Sequence, residues 1–150
     1  MNIKLADVGE HILGLQLISG KKLPVKLSYA IAVNLKILLS KEDDVKEQRE
    51  KILQEYCVKD DKGQPVLEEI VEKDKNGEVI KKAESEKNYK YVLNGDDETK
   101  TIEAINELYM LEEDLSIRKV KYEDLERCDS DNYDNLTGKE IEALLFMIED

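Results

Sequence analysis

Val25 to Val58 reads VKLSYAIAVNLKILLSKEDDVKEQREKILQEYCV, and whether this is one helix or several elements decides the fold. Gly20 closes whatever precedes it, and Pro24 suits a first helical turn, where its missing N–H costs nothing. Leu27, Ile31, Leu35 and Leu38 then fall on one helical face, and Ile31, Leu38, Val45 and Ile52 recur every seven residues, with Tyr56 closing the row. Neither glycine nor proline interrupts the run, so the spacing predicts a single long helix over about 25–58. Between Leu39 and Ile52 the run SKEDDVKEQREK offers only Val45 to a neighbour, so this part is expected to lean on one partner helix or to project. Ile31, Leu38, Val45, Ile52 and Tyr56 are therefore either an ordinary core face, the commoner use of such a stripe, or a self-association seam.

Towards the N-terminus, Asn2 to Ala6 alternates Ile3 and Leu5 with polar neighbours and predicts a short strand. In the following DVGEHILGLQLIS, Leu13, Leu15 and Leu17 alternate as in a strand, while Val8, Ile12 and Leu15 share a helical face behind a capping-box pair, Asp7 and Glu10. Helix is the preferred reading, although Gly9 and Gly14 weaken both.

Beyond the long helix the periodicity changes. KDDKGQPV (59–66) and KDKNGEVI (73–80) echo one another as a charged turn with glycine followed by apolar residues. Val66 to Val71, Val79–Ile80 and Tyr89 to Val92 predict three short strands, with Asn76-Gly77 as a tight hairpin turn. Asp96 and Asp97 cap an expected helix over 98–113, the antiparallel mate of the long one, with Ile102, Ile105, Leu108 and Tyr109 as its apolar face and Leu115 beyond. SIRKVKY (116–122) is read as a strand beside Asn2 to Ala6. LTGKEIEALLFMIED (136–150) predicts a closing helix opened by the Thr137/Glu140 capping box, with Ile141, Leu144, Leu145 and Ile148 on one face. The expected fold is one α+β, predominantly helical domain: a long helix antiparallel to a second, a small antiparallel sheet, and a closing helix.

Reactive chemistry is sparse. Glu72, Asp74, Asn76 and Gly77 stand where a calcium loop wants oxygen ligands and glycine, but Ala83 occupies the place of the bidentate carboxylate, so the stretch is read as a turn. Asp129, Asp131 and Glu140 are suitably spaced too, yet Tyr133 and Asp134 stand where a ligand and glycine belong. His11 is the single histidine, and Cys57 and Cys128 lack close ligand spacing, which argues against zinc and against a nucleophile–base pair. No phosphate-cradling glycine loop and no Gly-x-Ser-x-Gly turn are present. The expectation is a non-enzyme without catalytic residues, cofactor or metal.

Apolar residues make up 41% and charged residues 39% of the 150, enough to fold around a slender core. The charge of −12 is uneven along the chain: residues 1–40 carry a surplus of three positive charges, whereas 95–150 carry eighteen acidic against six basic side chains. Such a surface repels nucleic acid and anionic lipid and either favours basic partners or serves plain solubility; the partner expected is another protein or a second copy. Lys21, Lys22, Lys26 and Lys36 form a modest basic region suited to docking the acidic part of a neighbouring subunit. Two cysteines 71 positions apart are expected to be reduced thiols, and the N-terminus lacks the pattern of a secretion signal, so a cytoplasmic protein is expected.

KLPVKLSYAIAVNLKILL, then EQREKILQEYCVKDDKGQPV, then a β-rich centre and LTGKEIEALLFMIED together resemble small proteins encoded by tailed phages and prophages of Gram-positive bacteria. In that pattern a long helix ends in a tyrosine, a Lys-Asp-x-x-Gly turn follows, matched here through Gly63 and Pro65, and a short helix opened by Leu-Thr closes the chain, matched by Leu136, Thr137 and Glu140. The resemblance implies an interaction protein in the host cytosol or the virion, structural or assisting assembly through oligomer formation, and brings no catalytic residues. An inhibitor using its acidic C-terminal third as a nucleic-acid mimic is the alternative.

Overall fold

The computed structural model describes residues 1–149. The chain is an α+β protein, predominantly helical, with 56% of its residues in helical conformation. It divides into two compact units: Met1–Glu47 together with the chain from Leu108 onward, and Gln48–Glu107.

The first unit holds the hydrophobic core. Strand β1 (Asn2–Lys4) leads through a 3-10 turn, Leu5–Asp7, into helix α1 (Val8–Ser19), and helix α2 (Val25–Tyr56) follows Pro24. Burial of Val8, Ile12, Leu15 and Ile18 selects the helical alternative for α1. The Asp7/Glu10 capping box does not form. Asp7 already has helical torsions, φ −90° and ψ −12°, whereas a side-chain cap needs an extended residue at that place. Leu27, Ala30, Ile31, Leu38 and Val45 of α2 join the α1 residues in one cluster that also takes Leu115, Val120, Leu125, Cys128, Leu144 and Met147.

The C-terminal part returns along a path that departs from the sequence expectation. Helix α3 is Gly95–Met110, ending three residues earlier than expected, and Glu112–Asp114 forms strand β4, after β2 (Leu67–Glu69) and β3 (Tyr89–Tyr91) of the second unit. It is β4, not SIRKVKY, that pairs antiparallel with β1, in the register Ile3 opposite Glu113. Strand β5 (Val120–Lys121) instead pairs parallel with β6 (Ile148–Glu149). Both ladders are too short to show alternation, and β4 is the acidic triplet Glu-Glu-Asp, which carries no strand signal at all. Between these lie helices α4 (Tyr122–Glu126) and α5 (Gly138–Leu144). The Thr137/Glu140 box caps α5 in both directions: Glu140 N donates to Thr137 Oγ1 at 3.3 Å, and Thr137 N to Glu140 Oε2 at 2.9 Å. The closing helix is shorter than expected, because Leu145–Met147 tightens into a 3-10 turn before β6. That change of pitch turns Leu145 out to solvent and Met147 into the core.

The second unit carries the end of α2, the start of α3 and two twin hairpins. Strand β2 (Leu67–Glu69) pairs antiparallel with β3 (Tyr89–Tyr91), Leu67 opposite Tyr91. Of the three expected strands, Val79–Ile80 is reduced to one bridge, Lys73 with Val79. The sequence echo is a structural repeat. In each turn an aspartate side chain accepts two backbone N–H groups: Asp60 from Lys62 and Gln64, Asp74 from Asn76 and Glu78, all within 2.8–3.0 Å. Each turn then closes with glycine at positive φ, 77° for Gly63 and 80° for Gly77. Asn76 keeps negative φ, so the turn runs from Asp74 to Glu78 instead of centring on Asn76-Gly77. Asp74, which stands at a calcium-ligand position in the sequence, is thus engaged in holding its own loop. The face expected on α3 is only partly used: Ile102 is exposed, while Leu108 and Tyr109 pack against the core of the first unit.

Candidate interaction surface

Core-forming residues in the second unit are few. Among its described residues only Cys57 and Thr101 are buried, with Thr101 Oγ1 donating to Asp97 O at 2.6 Å. The sheet is steadied from α2 by Tyr91, whose hydroxyl donates to Glu50 and accepts from Gln54 Nε2 at 3.2 Å. The bond from Val66 N to Val58 O closes the first hairpin, and that from Val58 N to Val92 O ties it to the residue after β3, both at 2.8 Å.

Against this thin interior, six large apolar side chains face solvent between positions 67 and 89: Leu67, Ile70, Val71, Val79, Ile80 and Tyr89. In the β2–β3 register Leu67, Glu69, Tyr89 and Tyr91 share one face, with Glu68 opposite Lys90 on the other. A two-stranded sheet of three-residue strands is marginal in water on its own, and these side chains find little interior of their own unit to bury in. The charge of the same stretch is balanced: residues 67–91 carry seven acidic and six basic side chains, in a chain whose net charge is −12. This is the part of an acidic protein that can approach another copy without strong repulsion.

Of the two readings of the α2 stripe, burial favours the core face, the commoner one. Ile31, Leu38 and Val45 are at most 7% exposed, inside the core of their own chain, while Ile52 and Tyr56 are half-buried in the second unit. Periodicity reports an apolar face but not what covers it. The surface signal missed in the sequence was the density of β-branched residues around the two turns, taken there as strand interior.

The charge separation along the chain is also not a separation in space. Lys21 pairs with Glu140 at 2.7 Å, Lys41 with Glu113 at 2.5 Å, and the N-terminal ammonium with Asp114. Asp134 accepts the Lys22 backbone N–H at 2.7 Å. The Lys21 ammonium, helped by the Thr137 N–H, holds the Glu140 carboxyl below its usual range. Part of the basic region is therefore occupied by acids of its own chain.

His11 lies in an open cleft of about 530 Å³ between α1 and α5, stacked on Phe146 with ring centroids 4.1 Å apart. Asp7, Glu10, Lys139 and Glu142 line the same cleft. Burial outweighs the nearby Asp7 and Glu10 carboxylates and lowers the imidazole pKa. Cys57 and Cys128 are free thiols, and burial pushes Cys128 up, which keeps it protonated and poorly nucleophilic. Among the described residues no group of three or more His, Cys, Asp or Glu is placed to hold a metal ion, and no helix is long and apolar enough to cross a membrane. Compared with family models, curated proteins and solved structures, the chain matches none.

Proposed function

We propose that the protein is a non-enzymatic interaction protein that works by self-association, the twin-hairpin surface of the second unit meeting that of another copy. The observation that carries this reading is the pairing of six exposed apolar side chains with a locally balanced charge over residues 67–91. Removing apolar side chains from water favours such a contact, and the mixed charges supply complementary pairs at its rim. The resemblance to small proteins of tailed phages makes virion structure or assembly the setting.

The test is light scattering across a concentration series, with Val79→Lys and Ile80→Lys as paired variants. Both positions are exposed, so the substitutions leave the fold intact and act on association. Wild type is expected to form dimers or larger species, and the double variant to stay monomeric. A wild-type protein that is monomeric at every concentration refutes the reading.

A second reading rests on Glu123, Glu126, Asp129, Asp131 and Asp134, five exposed acids within twelve residues of chain that contain one cation, Arg127. They suit an inhibitor that imitates a nucleic-acid backbone. Retention of a basic nucleic-acid-binding protein from host lysate, lost as salt rises, would favour it over assembly.

A further inference from the structure

In the first unit four basic side chains, Lys26, Arg118, Lys119 and Lys121, surround one pocket of about 200 Å³, together with Val120, Asp124 and Glu149. Carboxylates are plentiful in this chain, and elsewhere they find cations readily, as in Lys82–Glu72 at 2.8 Å and Lys87–Glu84 at 3.0 Å. Among the described residues none of the four pocket cations forms an ion pair with a carboxylate. Lys119 Nζ donates to Phe146 O at 2.6 Å, and Asp124 accepts the Lys121 backbone N–H at 3.3 Å.

The arrangement is built. Asn34 of α2 is fully buried; its Nδ2 donates to Arg118 O at 2.9 Å and its Oδ1 accepts from Arg118 N at 2.7 Å. This clasp fixes the backbone of Arg118, and the guanidinium lies 5.0 Å from the centre of the Tyr29 ring. Held there by a cation–π contact, it keeps its N–H donors for another acceptor. Parallel pairing of β5 with β6 sets the positions of Lys121 and Glu149. Four cations against two carboxylates leave the pocket positive within an acidic protein, and gathering them costs free energy unless an anion joins them.

We infer that this pocket binds a phosphoryl group of a small phosphorylated compound, with Arg118 as the planar donor and Lys26, Lys119 and Lys121 as charge partners. Arginine matches the oxygen spacing of phosphate, and the lysines add non-directional attraction. The volume lies below the ~300–1,000 Å³ of sites for larger organic ligands, which fits a phosphoryl or pyrophosphoryl group in preference to a whole nucleotide. The acidic remainder of the surface disfavours a nucleic-acid strand.

The experiment is a backbone-amide NMR titration of the full chain at low ionic strength with inorganic phosphate, then pyrophosphate, and separately with a short single-stranded oligonucleotide. Saturable shifts confined to the amides around Lys26 and 118–121 are expected, with Arg118→Gln weakening binding roughly tenfold, the loss of about one charge-assisted pair. The Asn34 clasp holds the Arg118 backbone, so Arg118→Gln keeps the fold, and Lys121→Gln serves as a second variant. Absence of saturation, shifts spread over lysines throughout the surface, or undiminished binding in both variants overturns the assignment. Tighter binding of the oligonucleotide than of pyrophosphate overturns it as well.

Discussion

Gly9 and Gly14 stand in the same helix, and alanine is predicted to stabilise at the first and not at the second. A Cβ built on Gly14 would lie 2.9 Å from the Cβ of Ala143 on α5, whereas one on Gly9 meets nothing within 4 Å. Ordinary carbon contacts sit at ~3.5–4.0 Å, so Gly14→Ala must push α1 and α5 apart by roughly 0.6–1.1 Å. Both substitutions gain a similar helix-propensity term, at most about 1 kcal/mol. They differ by the overpacking term, ~1–3 kcal/mol. Gly9→Ala is therefore expected to stabilise by about 0.5–1 kcal/mol and Gly14→Ala to be neutral or to destabilise by up to about 2 kcal/mol. Urea unfolding followed by circular dichroism measures the gap: with a slope of ~1–3 kcal/mol/M, the two midpoints should differ by roughly 0.3–3 M. Adding Ala143→Gly to Gly14→Ala removes the opposing Cβ and should show a favourable coupling in a double-mutant cycle. If Gly14→Ala raises the midpoint as much as Gly9→Ala, the close approach of α1 and α5 is wrong, and with it the cleft that holds His11.

Asn34→Ala removes the clasp on Arg118, leaving its backbone N–H and C=O without their buried partner. The expected cost is about 2–4 kcal/mol in a denaturant titration, and an unchanged midpoint would show that water replaces the amide. The lowered pKa of His11 makes the unfolded chain bind more protons below its ordinary value of 6.5. The stability held by neutral His11 is thus complete above that pH and lost as pH falls through the lower folded value. Asp7, Glu10, Glu142 and Lys139 face the same cleft, so the comparison must be with His11→Phe, which keeps a stacked ring but carries no proton. Wild type should lose more stability than the variant between pH 7.5 and 5.5; parallel curves would count against burial as the cause.

How legible was all this in the residues? Helices α1 and α2 and the cap of α5 depend on neighbours three and four positions away, so apolar spacing and the Thr137/Glu140 pair place them without outside help. The twin turns are local too: Asp60 and Gly63, then Asp74 and Gly77, are the residue types that close such loops. The candidate surfaces were much less visible. Lys26 lies 92 positions from Arg118 in the chain, and no local pattern joins them.

The amino-acid sequence by itself determined the helical character of the chain, the start of its closing helix and the chemistry of its turns, because each rests on interactions spanning a few residues. Tertiary structure alone decided that β1 meets the acidic triplet 112–114, that β5 and β6 run parallel, and that Ile31, Leu38 and Val45 face inward. Strands of two or three residues carry too little alternation to name a partner, and an apolar stripe shows the same period whether its own chain or another molecule covers it.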